Sequence, residues 1–231
     1  MKKVNIKISI LAVFALLVCS CEVDNYDEPS ETLTGTLIDA VTGEPMQTYF
    51  NNTRIQLLMT SWSDDVTPMY FTVKPDGTFS NTKVFAGTYT VKPVEGPFYP
   101  VEGKSMEIKG SCSVDFEVVP YLNVSIEEIT RNGTSVTVKF KVTSEREEYD
   151  LVDARVFLNN TVLVSSEASI SSFTHVTDLA GVDYATLEST TYTVTIDELK
   201  SGRTYYLRVG ARVDTGAKHF NYSQIKEVVI P

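Results

Sequence analysis

Few side chains in this sequence are of types that do covalent chemistry. There are two histidines, His175 and His219, and three cysteines, of which only Cys112 lies away from the N-terminus. Nucleophilic catalysis needs a serine or cysteine beside a base that a third group holds in place. The histidines stand far apart in the chain and no Gly-x-Ser-x-Gly elbow occurs, so they read as surface or strand-edge residues. Cys112, in Gly110-Ser111-Cys112-Ser113-Val114, reads as a shielded free thiol at the start of a strand. Neither histidine has a partner at zinc-ligand spacing. Asp64-Asp65 and the run Glu145-Arg146-Glu147-Glu148-Tyr149-Asp150 carry the oxygen ligands that calcium takes, but neither has the form of an EF-hand loop, and both read as solvated acidic loops. No glycine-rich phosphate loop of the P-loop or dinucleotide type is present. Thirty carboxylates will always contain some pair at a glycosidase separation, yet nothing in the short-strand pattern implies a deep cleft. The expectation is a non-catalytic chain without metal or cofactor.

The aromatic side chains in polar settings are more informative. Trp62, the only tryptophan, sits in Thr60-Ser61-Trp62-Ser63-Asp64-Asp65 between two expected strands. Phe98 and Tyr99 lie in the proline-bounded segment Pro97-Phe98-Tyr99-Pro100. Tyr70 alternates with Met69 and Phe71 and so points outward. Exposed rings suit the CH faces of sugars or a protein partner. Trp62, Tyr70, Phe98 and Tyr99 are therefore the candidate ligand-binding residues, forming a flat apolar platform if they converge. The alternative is that Trp62 folds back over an open edge of its sheet.

A chain of 231 residues with 42% hydrophobic and 22% charged content, 12 Gly and 9 Pro is a globular protein of one large or two small domains. Collagen-like, coiled-coil and wholly disordered states are excluded. The formal charge of −10 argues against nucleic acid as a partner.

Residues 1–20 have the layout of a secretory signal: Met1-Lys2-Lys3 and Lys7, then an apolar run from Ile8 to Val18 that is too short to span a bilayer. The run ends in Val18-Cys19-Ser20-Cys21, which resembles a bacterial lipobox with Cys21 as the acylated residue. An ordinary signal peptide cleaved nearby without lipid is the other reading. Several acyl chains on Cys21 would give the firm anchoring that one chain cannot. Cleavage there removes three lysines and no acid and leaves Cys112 as the only other cysteine, so no internal disulfide can form. Residues 21–31 then read as the lipidated cysteine and an acidic tether, which reaches about 35 Å when extended. The expected location is the outer membrane, lipid-anchored and exposed at the cell surface.

From residue 32 onward no window shows a helical period. Short alternating runs dominate, and they predict an all-β chain of two consecutive β-sandwiches. Residues 32–119 hold the first: Leu33, Gly35 and Leu37; Ile55, Leu57 and Met59; Met69, Phe71 and Val73; Tyr89 and Val91; Val114, Phe116 and Val118, with Pro75-Asp76-Gly77 as a turn. Residues 120–231 hold the second: Leu122, Val124 and Ile126; Val136, Val138, Phe140 and Val142; Val152, Ala154, Val156 and Leu158; Tyr192, Val194 and Ile196; Leu207, Val209 and Ala211. Pro120 marks the boundary, and residues 161–189 are long enough to hold an insertion.

Gly35-Thr36-Leu37-Ile38-Asp39, Thr42-Gly43-Glu44-Pro45, Asp76-Gly77-Thr78-Phe79 and Phe85-Ala86-Gly87-Thr88-Tyr89-Thr90-Val91 resemble the carboxypeptidase-regulatory, transthyretin-type sandwich. Leu199-Lys200-Ser201-Gly202-Arg203-Thr204-Tyr205 is similar to the end of a fibronectin type III domain, with Ser201 where proline is usual. That likeness implies a corner tyrosine at Tyr205, its ring buried and its hydroxyl bonded to upstream backbone. The order of lipobox, acidic tether and these two domains resembles a Bacteroidetes family of two-domain surface lipoproteins of unknown function. The resemblance implies association with SusC/SusD-like nutrient uptake systems and capture of a glycan or peptide nutrient. The competing reading is a purely structural, adhesin-like interaction protein with no small ligand.

Overall fold

The computed structural model describes residues 27–231 apart from 51, 62 and 64. The acylation candidate Cys21 and the ligand candidate Trp62 lie outside the described residues, as does Asp64. The chain is all-β, in two sandwiches.

In the first sandwich, strand β1 (Glu31–Asp39) has β4 (Thr78–Val84) on one side, antiparallel, and on the other the short parallel strands β7 (Ser111–Ser113) and β8 (Phe116–Val118). Facing it is a second sheet in the order β3 (Met69–Thr72), β2 (Arg54–Met59), β5 (Gly87–Val94), β6 (Lys104–Ile108). Alternation decides the inner faces: Leu33 and Leu37 meet Ile55, Leu57, Phe79, Tyr89, Val91 and Phe116, all essentially fully buried. Gly35 is required on β1, because a Cβ there would strike the Phe79 ring and the Val114 carbonyl. Gly77 has φ +81 in the turn before β4, a conformation that side chains resist. The preceding Asp76 closes that turn by accepting from the Thr78 amide at 3.0 Å and its hydroxyl at 2.7 Å.

In the second sandwich a three-stranded sheet runs β13 (Tyr192–Ile196), β10 (Ser135–Thr143), β9 (Asn123–Asn132). The other sheet runs β12 (His175–Asp178), β11 (Leu151–Asn159), β14 (Thr204–Val213), β15 (Asn221–Tyr222), and β16 (Lys226–Val229) also pairs with β14. Val136, Val138 and Phe140 pack against Ala154, Val156, Leu158, Leu207 and Val209 between the sheets. A register shift between Leu151 and Asp153 overrides the simple alternation: Leu151 and Asp153 are buried and Val152 only half so. Phe157 then faces away from the main core into a smaller cluster with Val164, Phe220 and Tyr222.

The region 161–189 also holds a helix, α1 (Tyr184–Ser189), that periodicity does not announce. It is too short to show a period, yet Asp183 caps it through the Thr186 amide at 2.8 Å, and Leu187 enters the main core. Tyr205 is 3% exposed, and its hydroxyl accepts from the Lys200 amide at 3.2 Å. This is a corner tyrosine.

The seam between the sandwiches is polar and specific. Arg208, on the outer face of β14, reaches the Thr48 carbonyl at 3.0 Å. Asn221, 2% exposed, accepts from the Leu122 amide at 3.1 Å and donates to the Pro97 carbonyl at 2.8 Å. Asn123 donates to Asp39 at 2.7 Å.

Asn221→Ala leaves the buried Leu122 amide unpaired and takes from the Pro97 carbonyl one of its two donors, so it should lower stability by about 1–3 kcal/mol in urea denaturation. Tyr205→Phe removes only the partner of the Lys200 amide. It should cost about 1 kcal/mol, read as a lowered melting midpoint with an unchanged circular dichroism spectrum.

Candidate functional site

The register of the β3–β2–β5–β6 sheet determines which side chains share its solvent face. Ile55, Leu57, Tyr89 and Val91 fill the core, so Arg54, Gln56, Thr90 and Lys92 between them project the other way. Gln56 lies opposite Tyr70 on one side and Lys92 on the other, which makes Tyr70–Gln56–Lys92 a straight row across three strands. At the usual strand spacing the row is about 10 Å long. The next row, Thr72–Arg54–Val94, puts a guanidinium beside it.

Tyr70 is 45% exposed and held in place on this face. The Gln56 side-chain amide donates to its hydroxyl at 3.0 Å, and the Arg54 guanidinium lies 4.8 Å from its ring centre. With one ring face over Arg54, the opposite face is the one offered to solvent. Arg54 in turn makes a two-point ion pair with Glu95, which stands at φ 59 just after β5. That hydrogen-bonded pairing holds the Glu95 carboxyl below its ordinary pKa and the Arg54 guanidinium above its own. The Lys92 side chain, half-buried, makes no hydrogen bond or ion pair among the described residues. The face thus combines a fixed aromatic plane, an amide and a lysine with no partner, which are the groups that bind sugar rings and hydroxyls.

Phe98 and Tyr99 are not part of it. They are 4% and 5% exposed, which corrects the reading of their segment as an open loop. The segment pairs with residues 119–121: Phe98 bridges Pro120, the Tyr99 amide donates to the Val119 carbonyl at 2.9 Å, and the Tyr121 amide donates to the Pro97 carbonyl at 3.0 Å. Phe98 belongs to the first core. The Tyr99 ring packs on Tyr121 and Tyr149, with the Arg146 guanidinium 4.4 Å above it. Burial, reinforced by the charge of Glu148, pushes its hydroxyl up to about 12. Prolines at both ends led the sequence reading to an exposed loop. They instead frame the strip where the two domains join. Met69, expected to face inward, is 41% exposed because β3 is the edge of its sheet.

The sequence reading missed Gln56, Lys92, Arg54 and Glu95. Alternation marks the first three as outward-facing, but only pairing brings them beside Tyr70.

A cleft of 420 Å³ opens at the seam, with Glu44 and Gln47 on the first domain's wall and Thr143, Gln224 and Lys226 on the other. The aromatic in its wall, Tyr222, is 6% exposed and presents no ring for stacking. His175 opens the edge strand β12. His219 is half-buried, and burial lowers its pKa against the opposing charges of Glu95 and Glu167. Among the described residues no group of three metal-ligating side chains occurs, and neither histidine is hydrogen-bonded to an orienting partner. Cys112 is free and partly buried, its sulfur near the Lys109 and Glu107 carbonyls.

No curated protein matches this chain. A family model described as the N-terminal domain of DUF3823, a protein of unknown function, matches residues 31–119, and a model of the DUF3823 C-terminal domain, also of unknown function, matches residues 122–227. The crystal structure of a DUF3823 family protein from Bacteroides uniformis is similar at 26% identity and TM-score 0.77, over 88% of this chain and all of that one. Another Bacteroides uniformis structure, of a candidate carbohydrate binding protein, is also 26% identical, with TM-score 0.73 over 87% of this chain and 99% of that one. A DUF3823 family structure from Parabacteroides merdae shares the fold at 19% identity and TM-score 0.71, over 87% of this chain and all of that one. The chain belongs to the two-domain DUF3823 family, whose function is unknown.

Proposed function

We propose that this chain is a non-catalytic surface lipoprotein that captures a saccharide on the outer face of the β3–β2–β5–β6 sheet. The observation that carries the reading is the Tyr70 ring, 45% exposed and fixed in orientation by Gln56 and Arg54. A ring already locked in one orientation loses little conformational entropy on stacking against a sugar. A similar Bacteroides uniformis protein is a candidate carbohydrate binding protein, which favours the same class of ligand here. Acylation of Cys21 and the acidic tether of residues 22–31 would hold this face outside the outer membrane, beside a SusC/SusD-like transporter that takes up the captured glycan.

A glycan array probed with the chain lacking residues 1–20 tests the binding. Loss of Tyr70 stacking is worth about 1 kcal/mol, so Tyr70→Ala should weaken a positive glycan about fivefold with an unchanged melting temperature. Failure to bind any glycan would instead favour the interaction-only role. Cys21→Ala should move the protein from the membrane fraction to the soluble one and abolish labelling with a fatty-acid probe. Retention of both membrane association and label would refute the anchor.

A further inference from the structure

We propose that the ligand of this face is an anionic saccharide, with a sugar ring on Tyr70 and its acid group on Lys92. The inference rests on the saccharide reading above and adds the charge of the ligand. Lys92 is the far end of the row that begins at Tyr70, two strands and about 10 Å away, so a ligand of two or three sugar units reaches both. Its ammonium makes no ion pair among the described residues, whereas the neighbouring cation, Arg54, is committed to Glu95. The chain as a whole carries a formal charge of −10, so an uncompensated lysine in the middle of a sheet is a local reversal of the surrounding field.

The carboxylates that face Lys92 do not cancel it. Glu95 is neutralised by Arg54. Glu107 projects on the same face, but it pairs with Thr88, four residues back along β5, about 13 Å from the Lys92 row. That separation exceeds the screening length of about 8 Å at physiological ionic strength. Glu102, just before β6, is exposed and makes no ion pair with Lys92. An acid group touching Lys92 lies inside the screening length of the lysine and outside that of Glu107. Gln56, between the two ends, offers the carbonyl oxygen of its side chain to a ring hydroxyl while one N–H of its amide is held by Tyr70.

Two chemistries carry such a charge, a uronic carboxylate and a sulfate ester, and they share the recognition described here. The test is isothermal titration of the chain lacking residues 1–20 with three probes: trigalacturonate, its fully methyl-esterified and hence neutral form, and a chondroitin sulfate tetrasaccharide. Trigalacturonate or the sulfated probe should bind at least tenfold more tightly than the ester, with affinity falling as salt is raised. Which of the two binds more tightly identifies the acid group. Lys92→Ala should remove that tenfold preference, Lys92→Arg should keep it, and neither should change the melting temperature, since the ammonium has no partner among the described residues. Equal binding of acid and ester, lost in Tyr70→Ala and untouched in Lys92→Ala, would overturn the anionic ligand and leave the saccharide reading in place. If these probes and a wider neutral glycan panel all fail to bind, the saccharide reading falls and this inference with it.

Discussion

Arg208 is the side chain on which the arrangement of the two domains depends. It is fully buried with no carboxylate against it among the described residues, and burial depresses its pKa to about 10. At neutral pH it nevertheless remains charged, so its donors must be satisfied within the seam. Nε and Nη2 donate to the Ser223 carbonyl at 3.3 and 3.1 Å, Nη1 donates to the Thr48 carbonyl of the other domain at 3.0 Å, and the Tyr222 ring lies 4.2 Å from the guanidinium carbon. A planar guanidinium meets two carbonyls and a ring face at once, which a lysine ammonium cannot do. Separating the domains would strip this cation of one of its two acceptors, a cost that favours the joined state.

The neighbouring charges on the same sheet are handled differently. Asp153, 7% exposed, accepts from both Arg155 and Arg212. Burial works to raise its pKa, but the hydrogen bonds and charges of the two arginines outweigh it and hold the carboxyl below its ordinary value. Arg155 and Arg212 lie 5.4 and 4.7 Å from the Phe220 ring centre, and Tyr49 of the first domain packs against the same cluster. The outer face of the second domain's larger sheet is therefore spent on structure. The seam consumes aromatic side chains as well: Tyr99, Tyr121 and Tyr149 are packed on one another there.

With those rings committed, Tyr70 on the outer face of the first domain is an exposed aromatic that is held in place by hydrogen bonding and by a cation, and a functional reading attaches to it. Its position at a sheet edge keeps it accessible, and its contacts with Gln56 and Arg54 keep it in one orientation. The domain pairing and the candidate site are linked in this sense: rings that the sequence places in similar polar or proline-bounded contexts are sorted by the seam into structural and available ones.

The sequence by itself determined the all-β character, the alternating cores and the turn at Gly77, because period-two burial and positive-φ turns are local properties of a few consecutive residues. It also determined that Tyr70 faces outward, for the same reason, and that Tyr205 is a corner, because its context is a compact motif. The tertiary structure decided the rest. Phe98 and Tyr99 are buried because their pairing partners lie some twenty residues further on, beyond any local pattern. The row Tyr70–Gln56–Lys92 exists only through strand register, which brings together residues from three strands that alternation marks as outward without saying which are neighbours. The burial of Arg208 is of the same kind: Thr48, whose carbonyl it binds, is 160 residues away, and only folding both domains against each other makes that contact.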